Sequence, residues 1–267
     1  MLLYSFLTRM DATLLVSVLF ILMIVLLYFG RQIGLRKIRS GMKREAGETG
    51  TIISAMFGLM AFLLAFSFGM SASRYDTRRA NILDEANAIG TAILRADIYP
   101  SDQRIAFRTN FREYLEARIQ YYEAGSNLDE VSRTQTVAAE AGKKLWNRAA
   151  ELSHNHENLL PSQQMIPALN AMLDASTTRL MGELARVPDS IIWMLFILAM
   201  ASTFYLGYAS AVKETLDWMV ATGFCLLISL VIFITLDLDR PRRGLIKLST
   251  SQKAMIDLRE NFVLDKS

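Results

Sequence analysis

The chain of 267 residues is 52% hydrophobic, has a mean hydropathy of +0.25 and carries a formal net charge of +3. A soluble domain of this size rarely has so high a mean hydropathy, so the composition excludes an ordinary water-soluble protein. The basic excess does not require a nucleic-acid partner, because lysine and arginine beside membrane spans account for it. The single cysteine, Cys225, excludes an internal disulfide and a cysteine metal cluster.

The apolar residues are concentrated in four blocks, each long enough to cross a bilayer. The first block is not a cleaved signal peptide, because its apolar run is long and is followed by Tyr28, Phe29 and a basic segment rather than by a cleavage site. We predict transmembrane spans at about 12–29, 51–70, 190–209 and 217–236. The predicted domains are an N-terminal transmembrane hairpin at 1–70, a helical soluble domain at 71–187, a C-terminal transmembrane hairpin at 188–236 and a basic juxtamembrane tail at 237–267.

The rest of the chain is organised around the stretch 51–97. Its first part is apolar, its second part is charged and amphipathic, and no proline interrupts it. This predicts one long helix that leaves the membrane near Ser71 and continues into the soluble domain. The rest of that domain also has helical periodicity, with joints predicted at Pro100, Gly125–Asn127 and Pro161–Pro167. The sequence therefore predicts an all-α membrane protein with four transmembrane helices.

Charge gives two conflicting indications of orientation. The predicted polar loop at 31–50 contains six Lys or Arg residues, and Lys213 in the other short loop makes seven, against eleven that lie near the ends of the spans and in the tail on the opposite side. The first loop alone favours its own cytoplasmic placement, whereas the full count favours a cytoplasmic domain and tail. We follow the full count and predict a multi-pass inner-membrane protein whose helical domain and both termini are cytoplasmic.

The sequence has no recognisable catalytic motif. The only histidines, His154 and His156, lie beside two glutamates in a pattern that metal ions can use, but the segment is also typical of an exposed helix end. A glycine-rich phosphate loop, a serine nucleophile elbow and a zinc-binding His-Glu motif are all absent. We therefore predict no catalytic residue, no metal ion, no cofactor and no enzyme activity.

The second span carries a stripe of small residues along one helix face. Residues three or four apart share a face, and six small residues follow that spacing: Ser54, Gly58, Ala61, Ala65, Gly69 and Ala72. Small faces allow helices to approach closely in lipid. The stripe therefore predicts a helix-packing surface, of which packing against another span is the simplest form.

A neighbouring face of the same span carries three bulky apolar residues. Phe62, Phe66 and Met70 follow each other at intervals of four residues. Repeated around a symmetry axis, such side chains form a hydrophobic constriction that gates by dewetting. In a monomer the same side chains would face lipid, and the spacing leaves both interpretations open.

Charged residues cluster where the predicted spans meet water. Arg74 and Arg78 share a face of the long helix, and Asp237 and Asp239 end the fourth span. Because a carboxylate at the bilayer edge costs free energy unless it is paired, we predict an ion pair between one of these aspartates and one of these arginines. The alternative is that all of them are solvated or meet lipid headgroups. The predicted juxtamembrane charge network comprises Arg74, Arg78, Arg79, Glu85, Asp237, Asp239, Arg240, Arg242 and Arg243.

Three segments of the chain resemble a known family: SRYDTRR, DEANAIGTAILRADIYP and FITLDLDRPRRGLIKLS. Together they are similar to the bacterial bestrophin-like domain family of membrane proteins, over about residues 50–248. The resemblance to true bestrophins rests on the four spans, the large helical segment between the second and third, and a similar length.

The resemblance implies a homopentameric anion channel with cytosolic termini. In bestrophins the second span lines the pore and bulky apolar residues one turn apart form its neck, and Phe62, Phe66 and Met70 stand in the matching place. No acidic cluster resembles the bestrophin calcium clasp, so calcium gating is not carried over. The strongly basic first loop is a second departure from the family pattern.

We therefore expect a homo-oligomeric, anion-conducting, bestrophin-like channel whose partners are membrane lipids, further copies of itself and small ions. Arg74, Arg78 and Arg79 would raise the local anion concentration at the pore mouth. The alternative is a non-conducting membrane scaffold or sensor whose helical domain binds a protein partner. Similarity of fold does not by itself decide between the two.

Overall fold

The structure is a computed structural model that describes residues 10–40, 46–212, 216–242, 244–246 and 249–264. Within these ranges the regular elements are helices, which confirms the prediction of an all-α chain. A 3₁₀ turn at His156–Asn158 precedes the fifth α-helix. The α-helices are α1 (Ala12–Arg39), α2 (Ala46–Ala96), α3 (Ser101–Glu123), α4 (Leu128–Leu152), α5 (Leu159–Leu184), α6 (Asp189–Ser210), α7 (Trp218–Leu238) and α8 (Ser249–Leu264).

Four helical segments of the described chain are long and apolar enough to cross a membrane. They are Ala12–Arg39, Gly50–Ala96, His156–Ser210 and Trp218–Leu238. The expectation of four spans is therefore confirmed. The helix that contains the second span continues to Ala96 without interruption, as the absence of proline predicts.

The chain divides into two compact units. The first unit comprises Met1–Arg74 and Arg186–Arg240, and the second unit comprises Tyr75–Ala185 and Pro241–Ser267. The helix α2 contributes its N-terminal part to the first unit and its C-terminal part to the second.

The predicted polar loop at 31–50 is wrong over most of its described residues. The helix α1 continues to Arg39, and α2 begins at Ala46. The last turn of α1 contains three basic residues, whose positive charge is favourable beside the negative end of the helix dipole. A basic composition therefore extends this helix rather than ending it.

The joint predicted at Pro161–Pro167 is also wrong, because α5 runs through both prolines. Pro161 lies in the first turn, where a backbone N–H has no intrahelical partner in any case. Pro167 lies in the interior, where proline costs about 3 kcal/mol. Met165 and Leu169, on either side of it, are fully buried, and burying a side chain of this size stabilises by about 1.5–3 kcal/mol. Tertiary packing thus outweighs the local penalty.

In the first unit, α1 packs against α6 and α7. The approach to α6 requires glycine at two positions. A Cβ atom on Gly30 would lie 2.1 Å from the carbonyl oxygen of Phe204, and one on Gly207 would lie 2.0 Å from the carbonyl oxygen of Leu27. Close backbone contact of this kind is a main source of helix association in lipid. The hydrophobic effect contributes little there, because lipid tails are as apolar as the side chains that they surround.

In the second unit, the core lies between α3, α4, α5 and the C-terminal part of α2. Phe107, Phe111, Leu145 and Met172 belong to it, and each is fully buried. This core positions the polar side chains that α2, α3 and α5 direct toward one another.

Replacing Gly207 with alanine is expected to lower the melting temperature of the purified protein by several degrees. The new Cβ atom would collide with a backbone carbonyl, which cannot rotate away, and overpacking of this kind costs about 1–3 kcal/mol. Thermal unfolding in detergent, followed by circular dichroism, measures the effect.

The matched control is Gly223→Ala on α7, where a Cβ atom would meet nothing within 4 Å. This variant should keep or raise the melting temperature, because alanine forms helices better than glycine. Equal melting temperatures for the two variants would contradict the close contact between α1 and α6.

Candidate functional site

One side of the N-terminal part of α2 packs against other helices of the first unit. Ile53, Met60, Leu64 and Ser67 are buried on this side. Phe57, close to the same side, packs edge-on against Phe224 of α7, with ring centroids 5.0 Å apart. The packing side thus repeats with the helical period of about 3.6 residues.

Two residues of the predicted neck, Phe62 and Phe66, lie on the other side of α2. The side chain of Phe62 is 66% exposed and that of Phe66 is 55% exposed, while Met70 is partly buried. At about 100° per residue, Phe62 and Phe66 point away from Met60 and Leu64, whereas Met70 lies about 80° from Met60, at the edge of the packing side. Neither phenylalanine is therefore buried within its own chain.

The stripe of small residues is exposed beside them. Ser54, Gly58, Ala61, Ala65 and Gly69 are exposed, and Ala72 is partly buried. A Cβ atom on Gly58 or Gly69 would meet no atom within 4 Å. The stripe thus does not pack against another span within the described part of this chain, and packing between copies stays a prediction. Sequence reasoning missed the close contact at Gly30 and Gly207, although the four-residue spacing of Gly30 and Gly34 is a signal for it.

Asp239 links two parts of the first unit. Its carboxylate accepts hydrogen bonds from the backbone N–H of Val187, at 3.2 and 3.1 Å, just before α6 begins. The same carboxylate lies 3.8 Å from Nη1 of Arg74. The predicted pair between an aspartate after the fourth span and an arginine on the long helix is therefore formed by Asp239 and Arg74. Two neighbours of Asp239 in the sequence are also largely buried. Asp237 is 4% exposed, and Arg240 donates a hydrogen bond to the carbonyl oxygen of Met10.

Arg78 contacts backbone carbonyl oxygens, whereas Arg74 pairs with a carboxylate. It is 2% exposed, and it donates hydrogen bonds to the carbonyl oxygens of Gly182 at 3.1 Å and Ala185 at 2.6 Å. These carbonyls belong to the C-terminal end of α5, where they lack intrahelical donors and where positive charge is favourable. Arg78 therefore caps α5 and does not face solvent, whereas Arg79 is exposed. Arg243 lies outside the described residues.

Glu85 lies in the core of the second unit and not in a surface network. Its side chain is fully buried and accepts hydrogen bonds from Nε of Arg118 on α3 and from Nη1 of Arg179 on α5, the latter at 2.8 Å. One carboxylate thus joins three helices through two guanidinium groups.

The contacts continue from Arg179 to Glu183 and Arg242. Nε of Arg179 lies 3.4 Å from Glu183, whose carboxylate also accepts a hydrogen bond of 2.8 Å from Nη2 of Arg242. The hydroxyl of Tyr121 donates to the same carboxylate at 2.9 Å, and the guanidinium of Arg242 lies 4.2 Å from the centre of the Tyr121 ring. We call Glu85, Arg118, Arg179, Glu183 and Arg242 the buried ion cluster.

The buried ion cluster has one positive charge more than it has negative charges. Burial raises the pKa of the Glu85 carboxyl, but the two guanidinium groups outweigh it and hold that pKa below its usual value. Burial also raises the pKa of the Tyr121 hydroxyl, which stays a neutral donor. The charge excess is therefore carried by the arginines.

Sequence reasoning named Glu85 and Arg242 but missed Arg118, Arg179 and Glu183. A signal for two of them exists. Arg118 follows Phe111 and Leu115 at helical spacing, and Arg179 follows Met165, Leu169 and Met172 in the same way. An arginine on an apolar helix face needs a buried acceptor, and this predicts a buried carboxylate without identifying it.

The histidine segment acquires no further metal ligand among the described residues. His154 and His156 are exposed in the turn between α4 and α5. The described part of the chain contains no group of three or more His, Cys, Asp or Glu side chains placed to hold a metal ion.

Comparison with known proteins identifies the fold and the family. The profile of the Bestrophin-like domain family matches residues 18–252, and the chain belongs to that family. The fold is that of a bacterial bestrophin homologue from Klebsiella pneumoniae. One crystal structure of it has a TM-score of 0.67 at 13% identity and covers 91% of this chain and 98% of that one. A variant with a tryptophan replaced by alanine has a TM-score of 0.66 at 14% identity, covering 92% and 96%. No curated protein is significantly similar to the sequence.

Replacing Glu85 with glutamine is expected to lower the free energy of unfolding by about 3–5 kcal/mol near neutral pH, because two buried arginines lose their counter-charge. Since the folded protein holds the pKa of Glu85 below the ordinary value of 4.5, this stabilisation is present above that pH and is lost as the pH falls through the folded pKa. The difference in melting temperature between wild type and variant should therefore narrow in acid.

The control is Glu130→Gln, which removes a carboxylate from an exposed pair with Arg133 on α4. Its melting temperature should match that of the wild type at every pH. If Glu85→Gln also matched the wild type at neutral pH, the buried ion cluster would not stabilise the second unit.

Proposed function

We propose that the protein is a homo-oligomeric ion channel that conducts anions through a pore lined by the second span, about residues 51–70. The observation that carries the proposal is the exposure of Phe62 and Phe66 on the side of α2 opposite to its packing side. Membership of the Bestrophin-like domain family supports it, since bestrophins are anion channels.

The proposed neck works by dewetting. Copies of Phe62, Phe66 and Met70 around an axis would form stacked apolar rings, in which an ion loses hydrating water without gaining polar ligands. The small residues of the stripe, among them Gly58 and Gly69, lie next to these positions and would allow neighbouring copies of α2 to approach closely.

The proposed preference for anions is supported by arginines that follow the span on the same helix. Arg79 is exposed, whereas Arg74 is partly balanced by Asp239 and Arg78 is buried against carbonyl oxygens. A positive mouth concentrates anions and depends on ionic strength. We further propose a pentamer in the inner membrane, in contact with lipids, with the helical domain and both termini in the cytoplasm.

A non-conducting scaffold or sensor is the second candidate. The second unit has large apolar side chains at its surface: Leu94, Ile105, Leu128 and Leu160 are each more than half exposed. Exposed apolar side chains mark contacts when they form patches. Copies of the same chain would cover them in a channel, and a protein partner would cover them in a scaffold.

Ion flux from proteoliposomes tests the proposal. Wild-type protein should release chloride, and Phe66→Ala should release it faster, because a smaller side chain widens and wets the neck. Replacing chloride with a bulky anion should abolish the flux, whereas replacing the cation should not.

The control is Phe68→Ala. Phe68 is also exposed but lies about 200° further round the helix than Phe66, so its loss should leave the flux unchanged. Silence in wild type and in Phe66→Ala, from protein shown to be folded and oligomeric, would overturn the channel and favour the scaffold.

A further inference from the structure

A cavity of about 590 Å³ lies in the second unit, between α3, α4 and α5. Its walls are apolar at Leu173, Leu180 and Trp146, and polar at Arg118, Lys143 and Ser176. Sites for small molecules usually have this size and this mixture of apolar wall with few polar groups.

Arg118 has donor capacity that the described chain does not use. Its Nε binds Glu85, but its Nη2 is buried and has no hydrogen-bond partner among the described residues. The residue is 5% exposed. A buried N–H without an acceptor costs free energy, and a bound ligand that supplies an acceptor would recover it.

The positive charge around the cavity favours a negatively charged ligand. The buried ion cluster, to which Arg118 belongs, carries one excess positive charge. Lys143 adds a second cation at the exposed edge, and the described lining contains no aspartate or glutamate. An anion would therefore be attracted from the edge to the interior, and a cation would be repelled.

We propose that this cavity binds a small organic anion. Its carboxylate accepts hydrogen bonds from Arg118 and attracts Lys143, and its apolar body packs against Leu173, Leu180 and the ring of Trp146. Binding at this site does not depend on ion conduction, because the cavity lies wholly within the second unit.

Calorimetric titration of the full-length oligomer in lipid nanodiscs tests the proposal, with empty nanodiscs as the reference for partition into lipid. The probe is 4-phenylbutyrate, and the comparison compounds are 4-phenylbutanol and 4-phenylbutylammonium, which share its apolar body. The carboxylate should bind once per chain, and the alcohol and amine at least about tenfold more weakly, since a hydrogen bond to a charged group contributes about 1.5–3 kcal/mol.

Two adjacent lysines provide matched variants. Lys143→Glu reverses a charge in the cavity lining, whereas Lys144→Glu makes the same change on an exposed residue that pairs with Glu113 outside it. The first variant should weaken binding several-fold, and the second should leave it unchanged. A third variant, Ala139→Trp, fills the cavity from an exposed lining position and should abolish binding.

Three outcomes would overturn the proposal. Equal binding of the carboxylate and the alcohol would show apolar partition only. Equal effects of Lys143→Glu and Lys144→Glu would show general surface electrostatics. Absence of binding by the folded oligomer would show that the cavity is closed or is filled by the protein itself.

Discussion

The second unit depends on one buried carboxylate. Glu85 has no exposed side-chain area, and burying an ion costs several kcal/mol unless partners surround it. Its partners are Arg118 and Arg179, which come from two other helices and lie 33 and 94 residues away in the chain. The packing of α2, α3 and α5 brings all three together. An arrangement that separated Glu85 from either arginine would leave a buried charge without its partner, which costs about 3–5 kcal/mol.

The same cluster supplies the positive charge that the proposed anion site in the second unit depends on. Three arginines face two glutamates, and guanidinium nitrogens of both Arg118 and Arg179 have no hydrogen-bond partner among the described residues; of the two arginines, Arg118 lines the cavity. A core that is held together by charge thus leaves a cation available to a ligand. The proposed anion site and the stability of this unit share one residue, whereas Lys143 belongs to the site alone.

In the first unit, α2 is divided into two sides of different character. Met60 and Leu64 pack inward, while Phe62 and Phe66 on the other side are exposed. In water such exposure would be costly, but in a bilayer lipid tails solvate apolar side chains at no penalty. The bilayer therefore frees one side of α2 from packing within its own chain. In the proposed pore this exposed side of α2 faces the symmetry axis, where copies of the same side from neighbouring chains would surround it.

The sequence by itself determined the four spans and the unbroken α2, and it predicted an ion pair at the bilayer edge without identifying Arg74 and Asp239 as its members. These features follow from the sequence because the bilayer constrains short, continuous segments of the chain. Its thickness sets the length of each apolar block, and its edge penalises each unpaired charge. Only the tertiary structure decided that α5 passes through Pro167, that Gly207 meets α1 and that Glu85 is a core residue. Each of these depends on atoms from helices distant in the chain, and local propensity yields to the free energy of their packing.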